Sequence, residues 1–262
     1  MAFETLLLDV RDGVAKITLN RPDAANALSL QMAKDLMAAA TQCDEDPAVR
    51  AVLITATGRM FCAGGDLGGF ASAGAEVPAL LKEMATHLHV AISRFARMRA
   101  PVVAGINGTA AGAGFSLACA GDLAVAAESA RFTMAYTRIG LTPDGSATYY
   151  LPRLVGTRRA LELMLTNRAL SAAEALDWGL INQVVPDDQL AERALALTTE
   201  LAAGPTEAFG RLKRMILCST HDSLESQMEL ETRTLADSGR TVDAREGIQA
   251  FLAKRAAKFV GA

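Results

Sequence analysis

The chain has 262 residues, 51% of them hydrophobic, with a formal net charge of −3 and a mean hydropathy of +0.21. This length and apolar share support a sizeable core and exclude a disordered chain, and dispersed Lys and Arg argue against a nucleic-acid surface. Apolar runs break well short of a bilayer span, Met1-Ala2-Phe3-Glu4 lacks the basic and apolar start of a leader, and the four scattered cysteines (Cys43, Cys62, Cys119, Cys218) lack CxxC spacing or nearby histidines, so a cytoplasmic protein with reduced thiols and no metal is expected.

In chain order, residues 5–9 and 13–19 read as a strand pair turned at Arg11-Asp12-Gly13. A helix over about 30–43 follows, with Ser29 as its N-cap. Arg50–Thr55 reads as a buried parallel strand, 58–69 as a turn and loop, and 71–77 as a mobile stretch. A long helix over 78–98 carries His87 and His89, which, two residues apart, point to different faces. Strand 102–106, helix 114–120 and strand 122–126 come next. Ser171-Ala-Ala-Glu174 is a capping box opening a helix to Trp178-Gly179. Ile181–Val185 is the last expected strand, and beyond Asp187 the chain reads as helical, broken at Gly204-Pro205 and near Asp237–Thr241. The alternation implies an α/β fold of right-handed crossovers around a parallel sheet. Two regions follow, a sheet-bearing core over 1–186 and a helical region over 187–262.

The chemistry concentrates in Pro101–Asp122, PVVAGINGTAAGAGFSLACAGD. A β-branched strand runs through a Gly/Ala segment into a helix start, where unpaired N–H groups and the helix dipole favour a developing negative charge. Close packing of strand and helix is the competing explanation of so many small residues. Phe61-Cys-Ala-Gly-Gly-Asp-Leu67, after strand 50–55, repeats the pattern, and loops at the carboxyl ends of neighbouring parallel strands converge on one crevice. Gly112-Ala-Gly114 lacks the third glycine and the acid of a dinucleotide site, and no GxxxxGK[ST] occurs.

With both loops in view, the chain resembles the crotonase superfamily, the enoyl-CoA hydratase/isomerase family. The resemblance rests on Asn20-Arg-Pro-Asp-Ala-Ala-Asn-Ala-Leu28, the 61–67 and 101–122 segments, Ile139-Gly-Leu-Thr-Pro-Asp144, Leu151-Pro-Arg-Leu-Val-Gly156, Ala175-Leu-Asp-Trp-Gly-Leu180 and Phe251-Leu-Ala-Lys-Arg255, in order along the chain. It implies a crotonase (ClpP-like) spiral of ββα units with a C-terminal helical trimerisation region, assembled as a trimer or a hexamer of two trimers. It also implies an acyl-CoA substrate and no cofactor beyond that coenzyme A. By the same resemblance, the N–H groups of Gly65 and Ala113 form an oxyanion hole. Ala24, Ala25, Ala27, Ala63, Asp66 and Leu67 lie along coenzyme A, while Phe251 and Lys254 reach the ligand of a neighbouring subunit.

Hydration requires two carboxylates, which the family's hydratases place at positions matching Ser116 and Tyr136 here; neither is a carboxylate, which argues against a standard hydratase. Asp144, in Leu141-Thr-Pro-Asp-Gly145, remains as the base, with Ser146 free to cap the next helix. Two branches of the family carry an aspartate there. Isomerases move a proton with this single base: Δ3,Δ2-enoyl-CoA isomerase and the ring-epoxyphenylacetyl-CoA isomerase. The 4-chlorobenzoyl-CoA dehalogenase uses the aspartate as nucleophile and a histidine, matching His89, as base. The isomerase is the preferred expectation. Gly114-Phe-Ser116 near a helix start also approaches a serine-hydrolase elbow, but Ala118 replaces its glycine and the downstream His221 sits in the helical region, so Ser116 is expected to line the pocket. A non-catalytic acyl-CoA binder is the remaining alternative.

Overall fold

The computed structural model describes residues 3–262; Met1 and Ala2, part of the stretch read as lacking a leader, lie outside the described residues. A hairpin of β1 (Leu6–Arg11) and β2 (Val14–Leu19) opens the fold, antiparallel and joined by Asp12-Gly13. Both turn residues have positive φ, +50° and +81°, which matches the turn's twist to that of the paired strands. Then come α1 (Leu30–Glu45), β3 (Ala51–Ala56), β4 (Met60–Cys62), α2 (Leu67–Ala73) and α3 (Val77–Arg97). Ser29 caps α1 by accepting the Met32 N–H, as expected.

Three more strand–helix units follow: β5 (Val102–Ile106), β6 (Thr109–Ala111) and α4 (Ala113–Cys119); β7 (Leu123–Ala127), β8 (Arg131–Thr133), α5 (Ala147–Val155) and α6 (Thr157–Thr166); then β9 (Leu170–Ser171), α7 (Ala172–Asp177) and β10 (Gln183–Val185). The capping box at Ser171 and Glu174 is formed. Helices α8 (Leu190–Ala202), α9 (Thr206–Cys218), α10 (Leu224–Ser238) and α11 (Val242–Leu252) complete the chain.

The strands form two sheets. The larger has the order β1-β2-β3-β5-β7-β10, parallel from β2 onward; the smaller has the order β4-β6-β8-β9. Each of the pairs β3/β4, β5/β6 and β7/β8 therefore sends its first strand to the large sheet and its second to the small one, then leads into helices. Side chains of the large sheet alternate with period two. Val52, Ile54, Val102, Ala104, Ile106, Ala124 and Ala126 enter the main core with α1 and α3, while Leu53, Val103, Val125 and Ala127 meet Leu190, Ala194 and Leu197 of α8. Helix α3 buries Met84, Leu88, Ala91, Ile92 and Phe95, a helical stripe.

The structure departs from expectation in several places, with β6, β8, β9, α5 and α6 absent from the elements expected in chain order above. The loop read over 58–69 contains β4 and the start of α2, and residues 71–77, read as mobile, are helical. Leu67–Ala73 is poor in strong helix formers, so tertiary contacts hold α2: Asp66 accepts the Gly69 N–H, and Phe70 lies against Gly65. The helical region has an unanticipated break between α9 and α10, where Ser223 caps the new helix through the Ser226 N–H. Among the described residues no helix is long and apolar enough to cross a membrane.

Candidate active site

The two Gly/Ala loops do converge, through strands other than those expected. They leave the small sheet, from β4 and β6, which lie side by side and parallel, rather than β3 and β5 directly. Parallel pairing puts both carboxyl ends at one edge. There Gly64 and Gly112 touch: a Cβ on Gly64 would stand 3.0 Å from the Ala111 carbonyl oxygen and 3.4 Å from the Gly112 Cα. Gly64 has φ +95° and Gly112 φ +50°, so both the conformation and the space select glycine.

Each loop presents one N–H. Leu28 pairs with Gly65 as an isolated parallel bridge, giving its N–H to the Gly64 carbonyl (2.7 Å) and its carbonyl to the Asp66 N–H (3.0 Å). In that geometry the Gly65 N–H faces away from Leu28. Ala113 is the first residue of α4, so its N–H has no acceptor within its own helix. Gly65 and Ala113 both line a cavity of about 630 Å³.

The loop at 24–28 is fastened beside them. Asn26, fully buried at φ +53°, donates from Nδ2 to the Thr57 and Met60 carbonyls and accepts the Arg21 N–H. Arg21 donates to the Ala27 carbonyl and pairs with Asp66 at 3.0 Å, and the Ala63 N–H donates to the Ala25 carbonyl. Ala27, Ala63 and Leu67 line the cavity; Ala24, Ala25 and Asp66 are not among its lining residues. Asp66 is occupied by Arg21 and by capping α2.

The same cavity is lined by Asp144, the only carboxylate among the described lining residues. Its Oδ1 accepts the Tyr136 hydroxyl at 2.5 Å, and Tyr136 Oη lies 3.1 Å from Ser116 Oγ. Burial, reinforced by the adjacent Asp144 charge, pushes the Tyr136 phenol well above its ordinary pKa, so it remains a donor. Ser116 was expected to line the pocket; it is instead fully buried behind Tyr136 and bonded to the Gly112 carbonyl. The helix start that presents Ala113 also turns the Ser116 side chain inward, which removes the serine-hydrolase geometry. Nor does Ser146 cap α5 with its side chain; it sits at φ +65° and its hydroxyl donates to the Gly145 carbonyl.

His89 does not line this cavity. It lies on a second one behind Asp144, where its Nε2 accepts the Gly145 N–H at 3.1 Å. His87 turns to α1, with Nδ1 3.3 Å from Met37 Sδ. Phe251 is 84% exposed on α11 and, like Lys254, is absent from the cavity wall of its own chain.

Phe70, Leu81, Met84, Ala85, Ile139 and Leu141 complete an apolar wall, with Lys82 and Arg138 also on it. None of these was named as a site residue from sequence, although Ile139 and Leu141 belong to the segment around Asp144. Leu81, Met84 and Ala85 are legible as one apolar helix face, but nothing local says whether such a face meets core or cavity. The arrangement brings two backbone donors and a single carboxylate to one cavity with apolar walls. It suits removal of a proton next to a carbonyl whose oxygen gains charge.

Comparison with known proteins shows the family. A family model described as enoyl-CoA hydratase/isomerase matches residues 9–262. The chain is 40% identical over 259 residues to the 1,2-epoxyphenylacetyl-CoA isomerase of Escherichia coli strain K12, covering 98% of this chain and 99% of that protein. It is 38% identical over 228 residues to 4-chlorobenzoyl coenzyme A dehalogenase-2 of an Arthrobacter species, covering 87% and 83%. The solved structure of an enoyl-CoA hydratase from Bacillus anthracis matches with a TM-score of 0.92 at 32% identity, over 99% of this chain and 100% of that one.

Proposed function

The chain belongs to the enoyl-CoA hydratase/isomerase family, with the crotonase fold, and from that premise we propose that this acyl-CoA enzyme is a double-bond isomerase. It converts 3-enoyl-CoA to 2-enoyl-CoA, or carries out the equivalent shift on a ring-epoxyphenylacetyl thioester. The observation that carries this reading is that one carboxylate, Asp144, and two backbone donors, Gly65 and Ala113, line a single apolar cavity.

The thioester oxygen sits between the Gly65 and Ala113 N–H groups. Asp144 takes a proton from the carbon next to the thioester, and the dienolate is held by the two N–H groups. The same carboxyl then returns the proton two carbons away, so one acid–base group suffices. The Tyr136 hydroxyl on Oδ1 leaves Oδ2 to do this work. Phe70, Met84 and Leu141 keep the acyl chain dry, which strengthens the hold on the oxyanion.

Hydration lacks its second carboxylate among the described lining residues. Dehalogenase chemistry requires a histidine that activates water beside the aspartate, whereas His89 Nε2 is engaged by the Gly145 N–H. The exposed apolar residues Leu212, Ile216, Leu224, Met228, Leu235 and Ile248 on α9–α11 support assembly of copies. Phe251 and Lys254 then have a neighbour's ligand within reach.

The test measures 3-enoyl-CoA isomerisation by the wild type and by Asp144→Asn, with 4-chlorobenzoyl-CoA in parallel. Isomerisation lost in the variant supports the reading. Chloride release without isomerisation replaces it with the dehalogenase, and turnover of neither substrate leaves an acyl-CoA binder.

A further inference from the structure

Asp144 is the one described residue that lines both the acyl cavity and a second cavity of about 630 Å³ on its other side. The wall between them is the turn Pro143–Ser146. Its backbone is unusual, because Gly145 has φ +59° and Ser146 φ +65°, consecutive left-handed residues just after the base. The turn is also pressed onto its supports: a Cβ at Gly145 would stand 2.9 Å from Ser116 Cβ and 3.2 Å from Leu88 Cδ2.

Three hydrogen bonds hold Asp144 within this turn. Tyr136 holds the carboxylate, the Ala147 N–H donates to the Asp144 carbonyl at 3.2 Å, and the Gly145 N–H donates to His89 Nε2 at 3.1 Å. The last of these constrains the histidine. An atom that accepts an N–H carries a free lone pair, so the ring is neutral with its proton on Nδ1. A proton on Nε2 converts the acceptor into a donor aimed at another donor, and the bond to the turn is lost.

We propose that His89 is a positioning residue for Asp144: its neutral Nε2 latches the catalytic turn, and protonation of the ring opens the latch. The proposal rests on the isomerase reading for its kinetic consequences. His89 is exposed on the second-cavity side, so bulk pH reaches it without passing the acyl site. The charged and titratable groups on that cavity are Arg97 on α3, Asp144 on the turn, Tyr149 and Tyr150 on α5, and Cys218, His221 and Asp222 at and beyond the end of α9.

The test uses the whole chain, ¹⁵N-labelled, with His89→Gln and His89→Leu. Glutamine retains an acceptor oxygen without a titrating ring; leucine retains neither. In the wild type the His89 ring shows the Nδ1–H tautomer, and the Gly145 amide loses exchange protection as His89 protonates. In His89→Gln that protection persists at low pH. With 3-enoyl-CoA, His89→Leu lowers kcat by about tenfold with little change in KM, the signature of a misplaced base. His89→Gln restores most of kcat and moves the acid limb of the profile to lower pH. An unprotected or pH-indifferent Gly145 amide overturns the proposal, as does a glutamine variant no faster than the leucine one. Chloride release from 4-chlorobenzoyl-CoA that His89→Gln abolishes also overturns it, by making His89 a base. If the wild type isomerises nothing, the isomerase reading fails, while the Gly145 amide still decides the latch.

Discussion

The Tyr136 hydroxyl donates to Asp144 Oδ1 across 2.5 Å, and the same phenol oxygen lies 3.1 Å from Ser116 Oγ. The proposed base is thus tied to the helix that carries the oxyanion donor, since Ser116 stands one turn into α4 from Ala113. Because burial and the Asp144 charge push the phenol's pKa up, Tyr136 keeps the proton it donates. Tyr136→Phe removes it without changing the ring. We expect kcat on 3-enoyl-CoA to fall about tenfold, equivalent to about 1.4 kcal/mol of lost positioning. Asp144→Asn costs at least about a thousandfold by removing the base itself. Steady-state kinetics on the two variants checks the order.

The donor at Ala113 is open to a selective substitution. Proline is tolerated at the first position of a helix, where its missing N–H has no intrahelical acceptor. Ala113→Pro therefore preserves α4 and deletes one oxyanion donor, and it is expected to lower kcat by a factor of about 10²–10³. Ala113→Gly retains the N–H and stays within about threefold of wild type. Unchanged circular dichroism alongside the kinetic loss separates a lost donor from a lost fold.

Gly114 sets how closely α4 approaches β4. A Cβ there collides with the Cys62 carbonyl oxygen and comes within 2.6 Å of Cys62 Cβ, neither of which is a flexible end that swings away. Gly114→Ala is expected to destabilise the protein by about 1–3 kcal/mol despite alanine's better helix propensity. Urea unfolding measures it, and a stabilised variant contradicts this packing.

Lys213 on α9 packs its half-buried side chain against the start of β5. It donates to the Phe95 and Ala100 carbonyls and pairs with Asp122 at 2.7 Å, while Asp122 also accepts the Val102 N–H. Burial raises the Asp122 carboxyl above its ordinary pKa, opposed by Lys213. Lys213→Met removes that opposition and leaves a partly exposed carboxylate without its partner, at a cost of about 1 kcal/mol near neutral pH. The sign with pH follows, since a folded pKa above the unfolded value means the native state holds its proton longer. The variant's stability therefore falls as pH rises from about 4 through the folded value. Unfolding midpoints should show a smaller deficit against wild type at about pH 5 than at about pH 8, and Asp122→Asn in the same chain recovers part of the loss.

Thiol reactivity offers a check on burial. Burial pushes the Cys62 thiol up to about 11 and the Cys43 thiol up to about 12, with Asp46 and Asp44 adding to the latter, and raises Cys119 further still. Iodoacetamide at about pH 8 should leave these three unmodified in the folded protein and label them only after unfolding, because the thiolate is the reactive form. Mass spectrometry of the labelled peptides reads the outcome.

Much of the site was legible in the sequence because its chemistry is carried by backbone. Gly65 and Ala113 need only small residues at the end of a strand and the start of a helix, and a strand–Gly/Ala–helix pattern announces that locally. The large-sheet strands were legible for a similar reason, since buried β-branched runs such as Val102–Ile106 have no other stable placement. Ser29 and the Ser171–Glu174 box announced their helices through contacts within one turn.

What local pattern does not contain is direction across the fold. Ser116 and His89 are the residue types a reactive pocket uses, yet one faces inward behind Tyr136 and the other backs the catalytic turn. Strand β4 and helix α2, too short or too glycine-rich to form on propensity alone, exist because β6 and Asp66 supply their bonds. The sequence by itself determined which backbone segments carry donors and which carboxylate is available, because those depend on residue size and spacing. Only the tertiary structure decided which side of Asp144 each neighbour occupies, because that is settled by contacts between segments tens of residues apart.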